Sequence, residues 1–206
     1  RSVFWGLVGA GAATLVYGAL VESHRLVIDR RKLFLPKWPA EKNGFRIAVL
    51  ADLHLRDAYS LELAQRAVSA ALAEAPDVVV LPGDLVGYWK LASIELLGRA
   101  LEPLRLMEGS AIVVPGNHEY WGGNPEPLIP ICSEYNIQVL ANEVWTHRGV
   151  QWAGIDSANA GHADPFATMA QADPEKGPII ALWHEPDLVE WLPEGAALQI
   201  SGHSHG

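Results

Sequence analysis

The chain has 206 residues, half of them apolar, enough for one sizeable core and inconsistent with a disordered segment. Its formal net charge of -9 excludes broad electrostatic attraction to nucleic acid or anionic lipid, leaving room only for a locally positive site. A lone cysteine, Cys132, permits no internal disulfide.

In chain order, the first feature is Val3 to Val21, nineteen residues without a charge, near the length of a bilayer-spanning helix. No small-x-small cleavage site precedes Glu22, so an uncleaved anchor is expected for residues 1–22, with a signal segment as the alternative. Arg1 on one side and Arg25, Arg30, Arg31 and Lys32 on the other leave its orientation open. Residues 23–44, with Pro36, Pro39 and the Asn43-Gly44 turn signal, read as a linker containing a short strand at Arg25 to Ile28. The domain proper spans 45–206. The chain lacks an initiator methionine and stops within a motif expected to continue, so it reads as a fragment at both ends, its domain C-terminally truncated.

Five apolar runs in this domain end in polar side chains suited to metals. Arg46 to Ala51 leads to Asp52 and His54, Val78 to Gly83 to Asp84, and Ala111 to Val114 to Asn117, His118 and Glu119. Ile179 to Trp183 leads to His184, and Ala197 to Gly202 to His203 and His205. Such runs bounded by turn formers read as buried strands. Ser60 to Ala75 reads as an amphipathic helix with Leu61, Ala64, Val68 and Leu72 on one face, stopped by Pro76. A second helix from Leu91 to Met107 should be kinked or shortened by Pro103. Asp52 and Asp84 are 32 positions apart, and Asp84 and Asn117 are 33 apart, the span of a strand–helix–strand unit. Parallel crossovers then put the turns on one rim of an α/β sheet, where such sheets hold ligands. Beyond Asn117, segments Ile137 to Leu140, Val144 to His147 and Val150 to Ile155 are expected as strands of a second, partly antiparallel sheet. The loop from Ser157 to Gly177 should carry one short helix near Phe166 to Ala172.

A single aspartate after a strand is usually a cap, and a single histidine is usually a packed or surface residue. Here five of eight histidines and two aspartates fall at strand ends in one orientation, and that coincidence favours a shared site. Carboxylate, amide and imidazole donors suit divalent manganese, iron or zinc, and the absence of clustered cysteine disfavours a structural zinc knuckle. His24, His147 and His162 are assigned to surface or linker roles. Tyr88, Trp89, Tyr120 and Trp121, just after ligand turns, are expected to pack against loops, with a lip over the substrate as the alternative.

The set Asp52-x-His54, Gly83-Asp84, Gly116-Asn117-His118-Glu119, His184 and Gly202-His203-Ser204-His205 resembles the calcineurin-like metallophosphoesterases. The Glu-Tyr-Trp after His118 and the apolar N-terminus resemble their membrane-associated bacterial phosphodiesterase branch. The resemblance implies an α/β fold, a four-layer α/β/β/α sandwich, here preceded by a transmembrane helix, and a hydrolytic site with two divalent metal ions. It assigns Asp52, His54, Asp84 and His205 to one metal and Asp84, Asn117, His184 and His203 to the other, with Asp84 bridging. His118 would face the substrate phosphate as the catalytic residue, and Glu119 would support an imidazole or be a solvated turn residue. Asp156 is left outside the ligand set. The expected substrate is a phosphodiester or pyrophosphate, lipid-linked in one reading, cleaved at a cell membrane without nucleic acid as partner. The alternative is a non-catalytic scaffold, which would be expected to have lost ligands that this chain retains.

Overall fold

The computed structural model describes residues 25–36, 38–123 and 125–205, together with Trp5, Gly11, Thr14 and positions 16–18. The chain divides into two compact units, Arg1–Arg31 and Lys32–Gly206. Most of the expected anchor, Val3 to Val21, lies outside the described residues. Among the described residues no helix is long and apolar enough to cross a membrane. The strand expected at Arg25 to Ile28 is not formed, since residues 25–35 carry no regular structure. A strand needs a partner ladder for its N–H and C=O groups, and among the described residues none is paired with this segment.

In the second unit, strands β1 (Ile47–Val49), β2 (Val78–Pro82), β3 (Ala111–Val114) and β4 (Ile137–Val139) form one sheet in that order. All three pairings are parallel, and each needs a crossover. Helix α1 (Ala58–Ala73) supplies the first, α2 (Leu91–Leu101) the second and α3 (Leu128–Glu134) the third. Asp57 starts α1: its carboxylate accepts from Ser60 N–H at 2.8 Å while its own N–H donates to Ser60 Oγ at 3.1 Å. Leu61, Ala64 and Val68 are buried on the inner face, with Leu72 half-buried beside them. Pro103 acts as expected, because α2 stops at Leu101 and the chain tightens into a 3₁₀ helix over Glu102–Met107.

The second sheet contains β5 (Glu143–His147), β6 (Val150–Ile155), β7 (Ile179–Trp183) and β8 (Ala196–Ile200). Only β5 and β6 are antiparallel. Helix α4 (Pro165–Ala170) lies in the long loop between β6 and β7. Ile137 to Leu140 was expected in this sheet, but β4 instead pairs with β3, Ala111 opposite Ile137. The reason is α3, whose sequence hides it: Pro130 sits at its third position, where a missing N–H costs no helical bond.

Side-chain alternation sorts these strands into layers. Val79, Leu81, Ala111 and Val113 join α1 and α2 in one core, while Val78, Val80, Ile112 and Val114 face Val150, Trp152, Ile180 and Leu182 between the sheets. Met169 of α4 packs with Ala153 and Ile179 on the far side. The order is therefore helices, sheet, sheet, helix. Each fully buried aliphatic side chain contributes about 1.5–3 kcal/mol relative to exposure, so the two-sided burial of β2 and β3 pins their register.

Candidate metal centre

The turns after β1 and β2 continue the parallel ladder past the strands themselves. Asp52 N–H donates to Gly83 C=O at 3.1 Å, His54 N–H to Asp84 C=O at 3.0 Å, and Leu55 N–H to Leu85 C=O at 3.0 Å. Asp52, His54, Asp84, His203 and His205 all have left-handed backbones, with φ between 43° and 68°. That region is unfavourable for residues with a Cβ, and its concentration at five candidate ligands is local strain held by the surrounding bonds. Gly116 permits the closest approach, because a Cβ there would overlap the carboxylate and amide of Asp84. A Cβ at Gly83, itself at φ 86°, would overlap the His184 ring.

Asp84 lies at the centre. Its Oδ2 is 3.1 Å from His184 Nε2, 3.7 Å from His54 Nε2 and 3.9 Å from His118 Nε2. His118 N–H donates to its Oδ1 at 2.9 Å. On one side His54 Nε2 meets His205 Nε2 at 3.1 Å, with Asp52 Oδ1 3.9 Å from the latter. On the other, His203 Nδ1 is 3.2 Å from His184 Nε2. Three groupings, Asp52-His54-His205, His54-Asp84-His118 and Asp84-His184-His203, each bring their ligand atoms within 4.8 Å of one another and so could hold a cation. Asn117 adds a separate sign: its Oδ1 is buried and has no hydrogen-bond partner. Such an acceptor costs about 1–3 kcal/mol unless something such as a cation satisfies it.

Second contacts fix these rings. His184 is fully buried with Nδ1 at 2.7 Å from Pro82 C=O, and His118 Nδ1 is 2.7 Å from Gly87 C=O, so each directs Nε2 toward Asp84. Burial alone would lower the pKa of His184, but the hydrogen bond and charge of Asp84 raise it to about 9. Burial would likewise raise Asp84, yet His184 and the His118 N–H hold it below the usual carboxylate range. His54 is lowered by burial, with His118 and His205 adding to the effect against Asp84. Its neutral ring is the form that binds metal.

Glu119 differs from expectation. It touches no imidazole; its fully buried carboxylate accepts from the N–H groups of Gly116 (2.7 Å), Asp84 (2.9 Å), Leu85 (2.8 Å) and Val86 (3.2 Å). One carboxylate thus ties the β2 turn to the β3 turn. Burial raises its pKa to about 7, the N–H donors pulling against that. Asp156 is bound by the Tyr120 hydroxyl at 2.7 Å, apart from the ligand groups. Trp89 is buried, while Tyr88 and Trp121 are exposed and Trp121 packs its ring 3.8 Å from that of His118. His162 stacks on Tyr120, and His147 stacks on Trp145 and contacts Ser110 Oγ. His24 lies outside the described residues. The sequence reading missed Glu185, buried beside His184, whose only signal was adjacency to a strand-end histidine; it also missed Asn159, which nothing in the sequence marked.

The family model for calcineurin-like phosphoesterases matches residues 45–206, most of the chain. The chain belongs to this family. Calcineurin-like phosphoesterases are metal-dependent hydrolases, and the two-sheet α/β fold and ligand groups described above are in keeping with that. Among curated relatives, a zebrafish transmembrane protein with metallophosphoesterase domain is 29% identical over 213 residues, covering 94% of this chain and 48% of its own length. The UDP-2,3-diacylglucosamine pyrophosphatase LpxG of Chlamydia muridarum is 24% identical, with 97% of this chain and 75% of that one covered. The phosphodiesterase YaeI of Escherichia coli is 27% identical over 79% of this chain and 61% of its own. The chain spans about half the length of the first curated relatives it matches.

Proposed function

We propose that this chain is the catalytic part of a phosphoesterase that cleaves a phosphodiester or pyrophosphate at two divalent cations, of manganese, iron or zinc. Asp52, His54, Asp84 and His205 would hold one cation and Asp84, Asn117, His184 and His203 the other. The observation that carries the reading is the position of Asp84, whose Oδ2 is within 3.9 Å of three imidazoles from three other turns. When bound, the cations would supply a water of lowered pKa and neutralise charge on the phosphoryl oxygens. The residues do the rest. Asp52 and Asp84 contribute the only two anionic ligands, so a loaded site stays positive and draws an anion into an acidic protein. With Nδ1–H donated to Gly87 C=O, His118 as imidazolium would give its Nε2 proton to the leaving oxygen and return to the neutral ring.

The test is hydrolysis of bis-p-nitrophenyl phosphate by chelator-treated protein before and after manganese is restored. The reading expects activity only with metal, and full metal occupancy without turnover would contradict it.

A lipid-linked substrate is the favoured class. The uncharged Val3 to Val21 would anchor the domain at a cell membrane through residues 23–44. A relative named for a diacylglucosamine pyrophosphatase activity and another named a transmembrane protein support this. Tethering raises the effective concentration of a membrane-resident substrate over a dissolved one. Deleting residues 1–32 should therefore slow cleavage of a lipid diphosphate in vesicles far more than cleavage of a soluble diester; equal slowing sets the idea aside.

A further inference from the structure

His184 and Glu185 follow β7 directly, and their side chains enter different surroundings. His184 turns to Pro82 and Asp84. Glu185, 2% exposed, turns into the loop after β6. There its carboxylate accepts from Ser157 Oγ at 2.6 Å, Asn159 N–H at 3.1 Å and Ala158 N–H at 3.2 Å. Ser157 Oγ in turn accepts from Ala160 N–H at 3.2 Å, closing the turn around the buried acid. Held this way, Asn159 Nδ2 stands 3.2 Å from His203 Nε2, while His203 Nδ1 faces His184.

We propose that Glu185 and Asn159 act together as a positioning device for His203, an inference that rests on His203 being a metal ligand. A ring that offers Nδ1 to a cation must carry its hydrogen on Nε2, and that hydrogen needs an acceptor. Asn159 supplies it through Oδ1 once its amide is rotated by a half-turn, which puts the oxygen where Nδ2 stands and reverses the direction of the bond. Glu185 fixes where the amide stands. Outer partners of this kind set the orientation and basicity of metal-bound histidine, and losing one costs about 10- to 100-fold in affinity. Glu185 thereby couples the two sides of β7, one residue contacting Asp84 and the next securing the partner of His203.

The test is cobalt binding to the chelator-treated full chain, read by competition with a chromophoric chelator and by the visible spectrum of each site. Asn159 is exposed, so Asn159→Ala should fold normally. Asn159→Ala is expected to weaken one of two cobalt sites about 10- to 100-fold and alter its spectrum, leaving the other unchanged. Asn159→Asp, which keeps an acceptor at the same place, should restore affinity to within a few-fold. Glu185→Gln should weaken the same site as Asn159→Ala, and combining the two should add little. Wild-type affinity and spectrum in Asn159→Ala overturn the proposal, as does weakening of both sites equally. If the unsubstituted chain binds no cobalt, the failure lies instead with the metal-site reading.

Discussion

The Nε2 atoms of His54 and His205 lie 3.1 Å apart, although 151 positions separate them in the chain. Two neutral imidazoles turned lone pair to lone pair repel one another unless a proton or a cation lies between them. The fold brings them together by placing the turns after β1 and β8 on one rim, and Asp52 spans the gap by accepting from His203 N–H at 2.9 Å.

The first expected outcome concerns pH. In metal-free protein the His184 pKa is raised from 6.5 to about 9, so its pairing with Asp84 contributes stability that is fully present below 6.5 and lost as pH rises through about 9. Metal needs the neutral ring and has the opposite dependence. The gain in Tm on adding manganese should therefore grow steadily from pH 6.5 to 9. A gain that shrinks over that range would contradict the assignment of His184.

Asp84→Asn should lower occupancy of both cations, whereas Asp52→Asn should lower one, because among the described residues Asp84 is the carboxylate that contacts rings from both ligand groups. Metal content per chain after dialysis measures this. Equal losses in the two variants would remove the bridging role.

For His118 the variants Ala and Asn should keep metal content and lower turnover about 10²- to 10⁴-fold, the usual contribution of a positioned acid. The loss should shrink for a substrate whose leaving group needs no proton, such as a nitrophenolate. Loss of metal instead would make His118 a ligand, a part its 3.9 Å distance to Asp84 permits.

Glu119→Ala leaves four buried N–H groups of two turns without their acceptor. At about 1–3 kcal/mol for each unpaired buried group, a loss of at least ~3 kcal/mol is expected in urea unfolding, with metal affinity falling alongside. A loss under about 0.5 kcal/mol would mean that water replaces the carboxylate at no cost.

Strand ends were the most readable part of this chain. Apolar runs such as Val78 to Pro82 stand out because both faces are buried, and a metal-capable side chain right after each run is visible without coordinates. The amphipathic face of α1 and the interruption at Pro103 follow from local rules and appear as expected. What could not be read was whatever depends on long-range pairing. The membership of β4 in the first sheet hinges on α3, seven residues long with a proline inside, too short for periodicity to reveal. Glu119 was misread because its partners are backbone N–H groups more than thirty positions upstream as well as its own turn, and backbone leaves no trace in sequence. Glu185 had only its place beside His184 to mark it, and Asn159 had nothing, since its contact with His203 spans 44 positions.

The turns after five strands converge on Asp84, and electron paramagnetic resonance of the protein loaded with manganese tests most directly the proposal that two cations share it. Two Mn²⁺ per chain with the multiline signal of an exchange-coupled pair is the predicted result, collapsing to uncoupled manganese in Asp84→Asn. A single Mn²⁺ per chain, or two without coupling, would contradict it.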